Sequence, residues 1–430
     1  MDSLSSLDYP ATGFSICYEY GLFKQKIIDG MQIEMPDNWL PGGEVWLVPR
    51  TDRTFRVRFG GHIREKWTDG RLEIIYDNCE EIEAVPYDMM MSGADSEAVS
   101  LLRLWKAKDI DNFNMNLFAE GEYSRALQSS VNADIICKVL YPADNHYDGK
   151  ILRLTQQYFM VSASCQSIVR DHMAVYGTID NLADKVCVHI NDTHPALCVP
   201  EFMRILLDDY CLDWDHAWSI VSKMTSYTNH TVLPEALETW NEDLFRLRLP
   251  RIHQIVAEIN ERFCKEVWEA YPGNWNRISE MAILANGVVR MANLAIVGSH
   301  HINGVSEIHS NILKDITFRN FCRMWPEKFD NVQTVSLTAV GSLIPTPALQ
   351  VFFPIASATD IRRTLLSLQT SESIRTIRLF LRDFPRSRRL TRKALQSIIS
   401  RRQVSFLIQI PCSTFRSRDF MSISVSFSMP

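Results

Sequence analysis

No stretch of this chain reaches the eighteen or more uninterrupted apolar residues of a membrane span, and the acidic start at Met1-Asp2 lacks the basic region and apolar run of a secretory leader. Those two absences make a cytoplasmic chain the expectation. The ten cysteines, Cys17, Cys79, Cys137, Cys165, Cys187, Cys198, Cys211, Cys264, Cys322 and Cys412, include no C-x-x-C pair. A zinc knuckle and a disulfide lattice are thereby excluded, and the cysteines read as small core residues. Neither a P-loop nor a G-x-G-x-x-G occurs, so no motif declares a nucleotide. The sequons at Asn191 and Asn229 would matter only in a secreted chain, and they are set aside as chance.

What is present is ordinary globular composition, 46% apolar, 10% aromatic and 22% charged over 430 residues. Such a chain folds, with room for about two to three domains. Its net charge of −6 conceals a split. From Val332 onward there are thirteen Arg, one Lys and four acids, a balance of +10, against −16 for everything before. That tail also holds sixteen Ser, a single glycine (Gly341) and no Trp, Tyr or His, whereas the part before it contains every Trp and every Tyr. A compositional break of this size marks a boundary near 331/332. The basic tail lacks aromatic-interleaved motifs, so nucleic acid is not the expected partner.

Ahead of the break, strands alternate with amphipathic helices. Lys185 to Ile190 is a short β-branched run of the kind found in a parallel strand covered on both faces. Val199, Phe202, Met203, Leu206 and Leu207 then fall at helical spacing, with Asp208 and Asp209 on the polar side. Lys223 to Thr231 reads as a second strand, and Leu233 to Glu238 as a helix start with Pro and Glu in its first turn. Repeated βα units predict an α/β fold with a parallel, doubly wound sheet. Glu44 to Pro49 and Thr54 to Gly61 alternate with period two, which adds an antiparallel patch and a mixed edge.

In open α/β sheets ligands bind beyond the carboxyl ends of the strands. Two polar turns qualify: Asn191-Asp192-Thr193-His194-Pro195, and Tyr227-Thr228-Asn229-His230-Thr231. Carboxylate, amide, hydroxyl and imidazole groups packed this closely suit a ligand with many hydroxyls, each both donor and acceptor, as a sugar has. The plainer reading makes Asp192 or Thr193 the cap of the following helix, with Pro195 early in it. His194 and His230 equally read as hydrogen-bonded core histidines, with metal ligands the lesser alternative. His300, His301 and His309 suggest a metal, but adjacent histidines on an extended segment face opposite ways and no carboxylate cluster accompanies them, so none is expected. The loop Pro142 to Lys150, bracketed by Pro and Gly, is able to cover a site or merely to connect.

At these same segments the chain resembles the glycogen (α-glucan) phosphorylases. The resemblance runs from Met1 to Asn331 and is carried by Tyr18-Glu19-Tyr20-Gly21 with Gln25-Lys26 and Asp37 to Leu40; by Leu140-Tyr141-Pro142 with Asp144-Asn145; by Asn191 to Leu197; by Tyr227 to Glu238; and by Gly298-Ser299-His300 with Asn303-Gly304-Val305. It implies a two-domain fold, two Rossmann-like halves facing a cleft, of which residues 1–331 are part of the amino-terminal one. It implies pyridoxal 5′-phosphate, whose phosphate helps orthophosphate cleave a terminal α-1,4 glucosyl bond with retention, giving glucose 1-phosphate. No hydrolase-type carboxylate pair is then required. The implied partners are α-1,4-glucan and orthophosphate, and the parent enzyme is expected to be a homodimer. By the same resemblance Asn145 lies in a loop gating the site, Asp192 holds a network of water or sugar hydroxyls, and His230 contacts the glucosyl unit with Thr231 beside it. The family's Schiff-base lysine belongs to a second domain that this chain lacks, so the expectation is a chain inactive alone, with glucan binding without catalysis as the alternative.

The resemblance also gives the tail an origin. Codons for Thr334 to Leu349, read from their third bases, permit G-V-T-x-R-R-W-I-x-H-S-N-P-G-L, and those for Cys412 to Met429 in the same frame permit F-D-I-Q-V-K-R-F-H-E-Y-K-R-Q-F-L-N. Both are close to later phosphorylase segments. A frameshift near Asn331-Val332 is the expectation, with 332–430 an aberrant, poorly structured tail.

Overall fold

A computed structural model describes residues 1–40, 45–68, 71–93, 96–110, 114–332 and 422–427. The chain divides into one unit of Met1–Gln333 with Ser417–Pro430 and a second of Thr334–Arg416, and all the described residues lie in the first. The tail reading therefore falls almost wholly outside the described residues.

The βα units give the expected parallel sheet. The Val186–Asn191 strand runs parallel to Thr225–Thr228, which is parallel to His301–Gly304, itself parallel to Phe329–Asn331. On the other side Ala11–Ile16 runs parallel to Val99–Asp109, which forms a long antiparallel pair with Glu80–Ser92. The strand Ser422–Phe427 lies between these two sets, antiparallel to both Ala11–Ile16 and Val186–Asn191. The mixed edge is Glu80–Ser92 with Phe55–Phe59 and the two-residue Val48–Pro49 strand. The alternation of Glu44–Pro49 is otherwise spent on a turn at Val45-Trp46.

The helix Tyr147–Tyr176 packs across the sheet and is almost wholly buried along its middle. Arg103 fixes it to the antiparallel edge: the guanidinium is bidentate to Asp88 at 2.7 and 2.8 Å and reaches Ser167 Oγ at 2.8 Å, all buried. A pair this deep is tolerable because every charge has a partner. Its C-terminus is closed by Gly177 in the left-handed region (φ 68°).

Three details depart from the sequence reading. In the Val186–Asn191 strand Val186, Val188 and Ile190 are buried while Cys187 is exposed, so alternation replaces cover on both faces, and Cys187 and Cys211 are exposed rather than core. Lys223 and Met224 belong to the helix Trp214–Met224, whose buried Ala217, Ile220, Val221 and Met224 keep helical spacing to the last residue before the strand. The Val199 helix is α-helical over Cys198–Arg204 and continues as a π turn, Ile205–Asp209. That extra width turns Asp208 inward, where its side chain is 9% exposed and paired with Arg251 at 2.6 Å.

Candidate functional site

The carboxyl ends of the parallel strands bring the two polar turns together. Asp192 N–H donates to Thr228 O at 2.9 Å, and Asn229 N–H donates to Asn303 O at 3.0 Å, so the turns continue the ladder one residue past the strands. Thr228 Oγ1 donates to Asn303 Oδ1 at 2.8 Å, and His189 Nε2 lies 2.6 Å from Thr228 Oγ1. The Thr228 proton is given to Asn303, so His189 Nε2 carries the proton it shares with Thr228. His230 Nε2 lies 2.7 Å from Asn191 Oδ1, which ties the second turn back to the first. Buried Asn229 donates to Tyr227 Oη at 2.9 Å, and its Oδ1 has no partner among the described residues.

Asp192 does not cap the following helix. It sits at φ 66°, a left-handed conformation that an Asp tolerates better than most residues, and its Oδ1 accepts the Thr193 N–H at 2.7 Å. The helix that follows starts at Cys198 with Leu197 at its N-cap position and no side-chain cap. Thr193 Oγ1 instead donates to Glu238 Oε2 at 3.0 Å. The capping reading is therefore overturned, and the strained backbone at Asp192 aims that residue beyond the strand end.

The loop with Asn145 approaches from the other side. Tyr141, also left-handed at φ 53°, places its hydroxyl 3.2 Å from His194 Nε2. His146 caps the long helix by accepting from Gly149 N at 3.0 Å, and a Cβ on Gly149 would stand 1.9 Å from Ala143 O. Only glycine permits this fold-back, which leaves Asn145 exposed at the loop's tip. Asp144 pairs with Arg153, and Arg153 with Glu238 at 3.3 Å. Glu238 follows a three-residue 3-10 turn, Pro234–Ala236, rather than the longer helix that its Pro and Glu suggested. Thr231 is half-buried, and its carbonyl is 3.1 Å from His309 Nε2.

Tyr141 with His194, and Arg153 with Glu238, thus tie the chain neighbours of Asn145 to those of Asp192, while His230 is joined to Asn191 and Thr231 to His309. Of these Tyr141, Arg153 and Glu238 were not singled out as functional residues, whereas His194 was weighed as part of the first polar turn. The one signal for the former was position: Tyr141 and Glu238 lie inside the motif segments. Burial pushes the Tyr227 phenol far above its ordinary range, with Asp192 adding to it, and burial with His230 nearby lowers His189 to about 4. The neutral forms of both are thus held in place.

The histidines weighed as metal ligands separate: His309 is buried, its Nδ1 accepting from Val305 N–H and its Nε2 donating to Thr231 O, while His300 is exposed. Among the described residues no lysine joins the strand-end network. Lys185 and Lys223 precede their strands, and Lys328, held below its usual range by burial, stacks on Trp325 at 3.9 Å. An amine with an anion cradle for pyridoxal phosphate is not assembled among the described residues.

With this geometry in place, comparison with known proteins gives the family. The carbohydrate phosphorylase model matches residues 1–408. Glycogen phosphorylase of Bacillus subtilis is 42% identical over 399 residues, 93% of this chain and 49% of the relative. That of Haemophilus influenzae is 43% identical over 356 residues, 82% and 43% respectively, and the human muscle form is 42% identical over 347 residues, 77% and 40%. The chain belongs to the carbohydrate phosphorylase family. It spans about half the length, or less, of these curated relatives.

Proposed function

We propose that residues 1–331 form one wall of a cleft in which an α-1,4-glucan is split by orthophosphate to glucose 1-phosphate. Asn145, Asp192, His230 and Thr231 face the glucosyl unit. The observation that carries this reading is the convergence of hydroxyl-matching groups from separate segments on one end of the parallel sheet, where Asp192 is held in a left-handed turn. His230, oriented by Asn191, offers an imidazole to a sugar hydroxyl, and the Asp192 carboxylate accepts from another. Pyridoxal phosphate and orthophosphate belong on an opposite wall that the described residues do not form, so the described residues contribute glucan binding rather than cleavage. The intact enzyme is read as a cytoplasmic homodimer. In its support, Tyr123, Leu127, Val131 and Ile135 form an exposed stripe at four-residue spacing.

The test is titration of the chain with maltoheptaose by calorimetry, alongside an assay for glucose 1-phosphate. Saturable binding without product is expected, and His230→Ala should weaken it about tenfold, the loss of one hydrogen bond to a charged or strongly polar partner. Absence of binding, or binding indifferent to both His230→Ala and Asp192→Asn, would remove the reading. Residues 332–430 we read as out of frame, on the compositional break at Val332 and the two motif-bearing stretches in the shifted frame. Resequencing codons 320 to 350 decides it. Because the family match reaches residue 408, an unbroken frame there would make the tail a diverged family segment.

A further inference from the structure

One cation joins the Asn145 loop to the Asp192 turn. The Arg153 guanidinium lies 5.5 Å from the Tyr141 ring centre and 5.9 Å from that of Trp240, with its side chain 18% exposed. It donates through Nη1 to Asp144 and through Nη2 to Glu238 Oε1 at 3.3 Å. Glu238 Oε1 also accepts from Gln157 Nε2 at 2.7 Å, and its Oε2 from Thr193 Oγ1 at 3.0 Å. A continuous polar path therefore runs Asp144, Arg153, Glu238, Thr193. Asn145 and Asp192 are the immediate chain neighbours of its two ends and belong to neither link.

We propose that Arg153 and Glu238 are positioning residues that fix the separation of Asn145 from Asp192 without touching the sugar. This rests on the reading of those two residues as glucosyl contacts. The two joints differ in strength. Glu238 is 14% exposed and held by three donors, whereas Asp144 is 49% exposed and screened by water. Opening therefore begins at Asp144, with Arg153 left seated on Glu238. An arginine is needed because one side chain must serve two carboxylates in different directions, which the planar fork does and an ammonium does poorly.

The full chain carrying Arg153→Ala, Arg153→Lys or Glu238→Gln is compared with the parent by backbone hydrogen exchange and by maltoheptaose calorimetry. Arg153→Ala should speed exchange of the amides in 143–146 and 192–194 about tenfold, leave Val186–Ile190 unchanged, and weaken maltoheptaose about tenfold. Arg153→Lys should fall between, and the double variant with Glu238→Gln should be no worse than the poorer single, since both cut one path. Weakened binding with unchanged exchange would mean that Arg153 contacts the sugar, and overturns the positioning role; so would no change in either. If Arg153→Ala does not fold, Glu238→Gln keeps the side chain's shape and carries the same test. A parent chain that ignores maltoheptaose sinks the glucan reading alone, and exchange then upholds or overturns the link by itself.

Discussion

His189 and His230 lie on neighbouring strand ends and differ in what surrounds them. Both are half-buried: His230 meets Asn191, while His189 is bonded to Thr228 and lowered to about 4 by burial and by His230 nearby. A folded-state value below the ordinary 6.5 means that the unfolded chain takes up the proton first as pH falls. Stability is therefore intact above about pH 6.5 and declines as pH drops toward 4, by about 2–3 kcal/mol at pH 4.5 from this group alone. Urea unfolding of the parent and of His189→Gln between pH 7 and 4.5 reads this out. The parent should lose more stability over that interval, and parallel pH profiles would show that His189 is not held neutral. The sequence offered no means of separating the two histidines. Both lie at a β-branched or Thr-rich run, and only the folded sheet, which brings His189 to Thr228 and through it to Asn303, shows which one has that partner.

At the scale of elements, the core rests on close approaches that composition does not announce. Gly298 ends the buried helix Met291–Gly298, and a Cβ there would stand 2.6 Å from both methyls of Val199 on the Cys198–Arg204 helix. Its backbone is not left-handed, so space alone restricts the position. Gly298→Ala should cost about 1–3 kcal/mol through overpacking. Val199→Ala removes the obstructing methyls, so the double variant should be less destabilised than the sum of the singles, by about 1 kcal/mol of coupling. Strict additivity in a thermal or urea cycle would sink this account of the contact. The same elements show what was legible. Of the Val199, Phe202, Met203, Leu206, Leu207 stripe the first four are buried as their spacing required and Leu207 is half-buried, because period and burial are local properties. The inward turn of Asp208, the placement of Glu238 and the reach of Arg153 were not legible, since each depends on partners forty or more residues away. An arginine on a helix reads as a surface charge until the chain packed against it supplies the carboxylates.

For the molecule as a whole, the sheet poses a question of completeness. Val99–Asp109 with Ala11–Ile16, and Val186–Asn191 through Phe329–Asn331, are two parallel sets with a strand's width between them. Ser422–Phe427 fills that gap in the opposite direction. Its sequence alternates Ser with Ile, Val and Phe, the period of a strand, so this segment can satisfy the backbone of its neighbours. Ending the chain after Asn331 would expose two adjoining strand edges in the middle of the sheet, each a row of unpaired donors and acceptors. Such a truncation should lower the melting temperature and drive association in light scattering, and supplying a peptide of residues 420–430 should reverse part of both effects. A truncated chain that melts as the parent does, as a monomer, would show that the two sets hold together without that strand. The Asp192 turn hangs from one of the exposed edges. Truncation should therefore weaken maltoheptaose binding in step with the loss of order at Val186–Asn191.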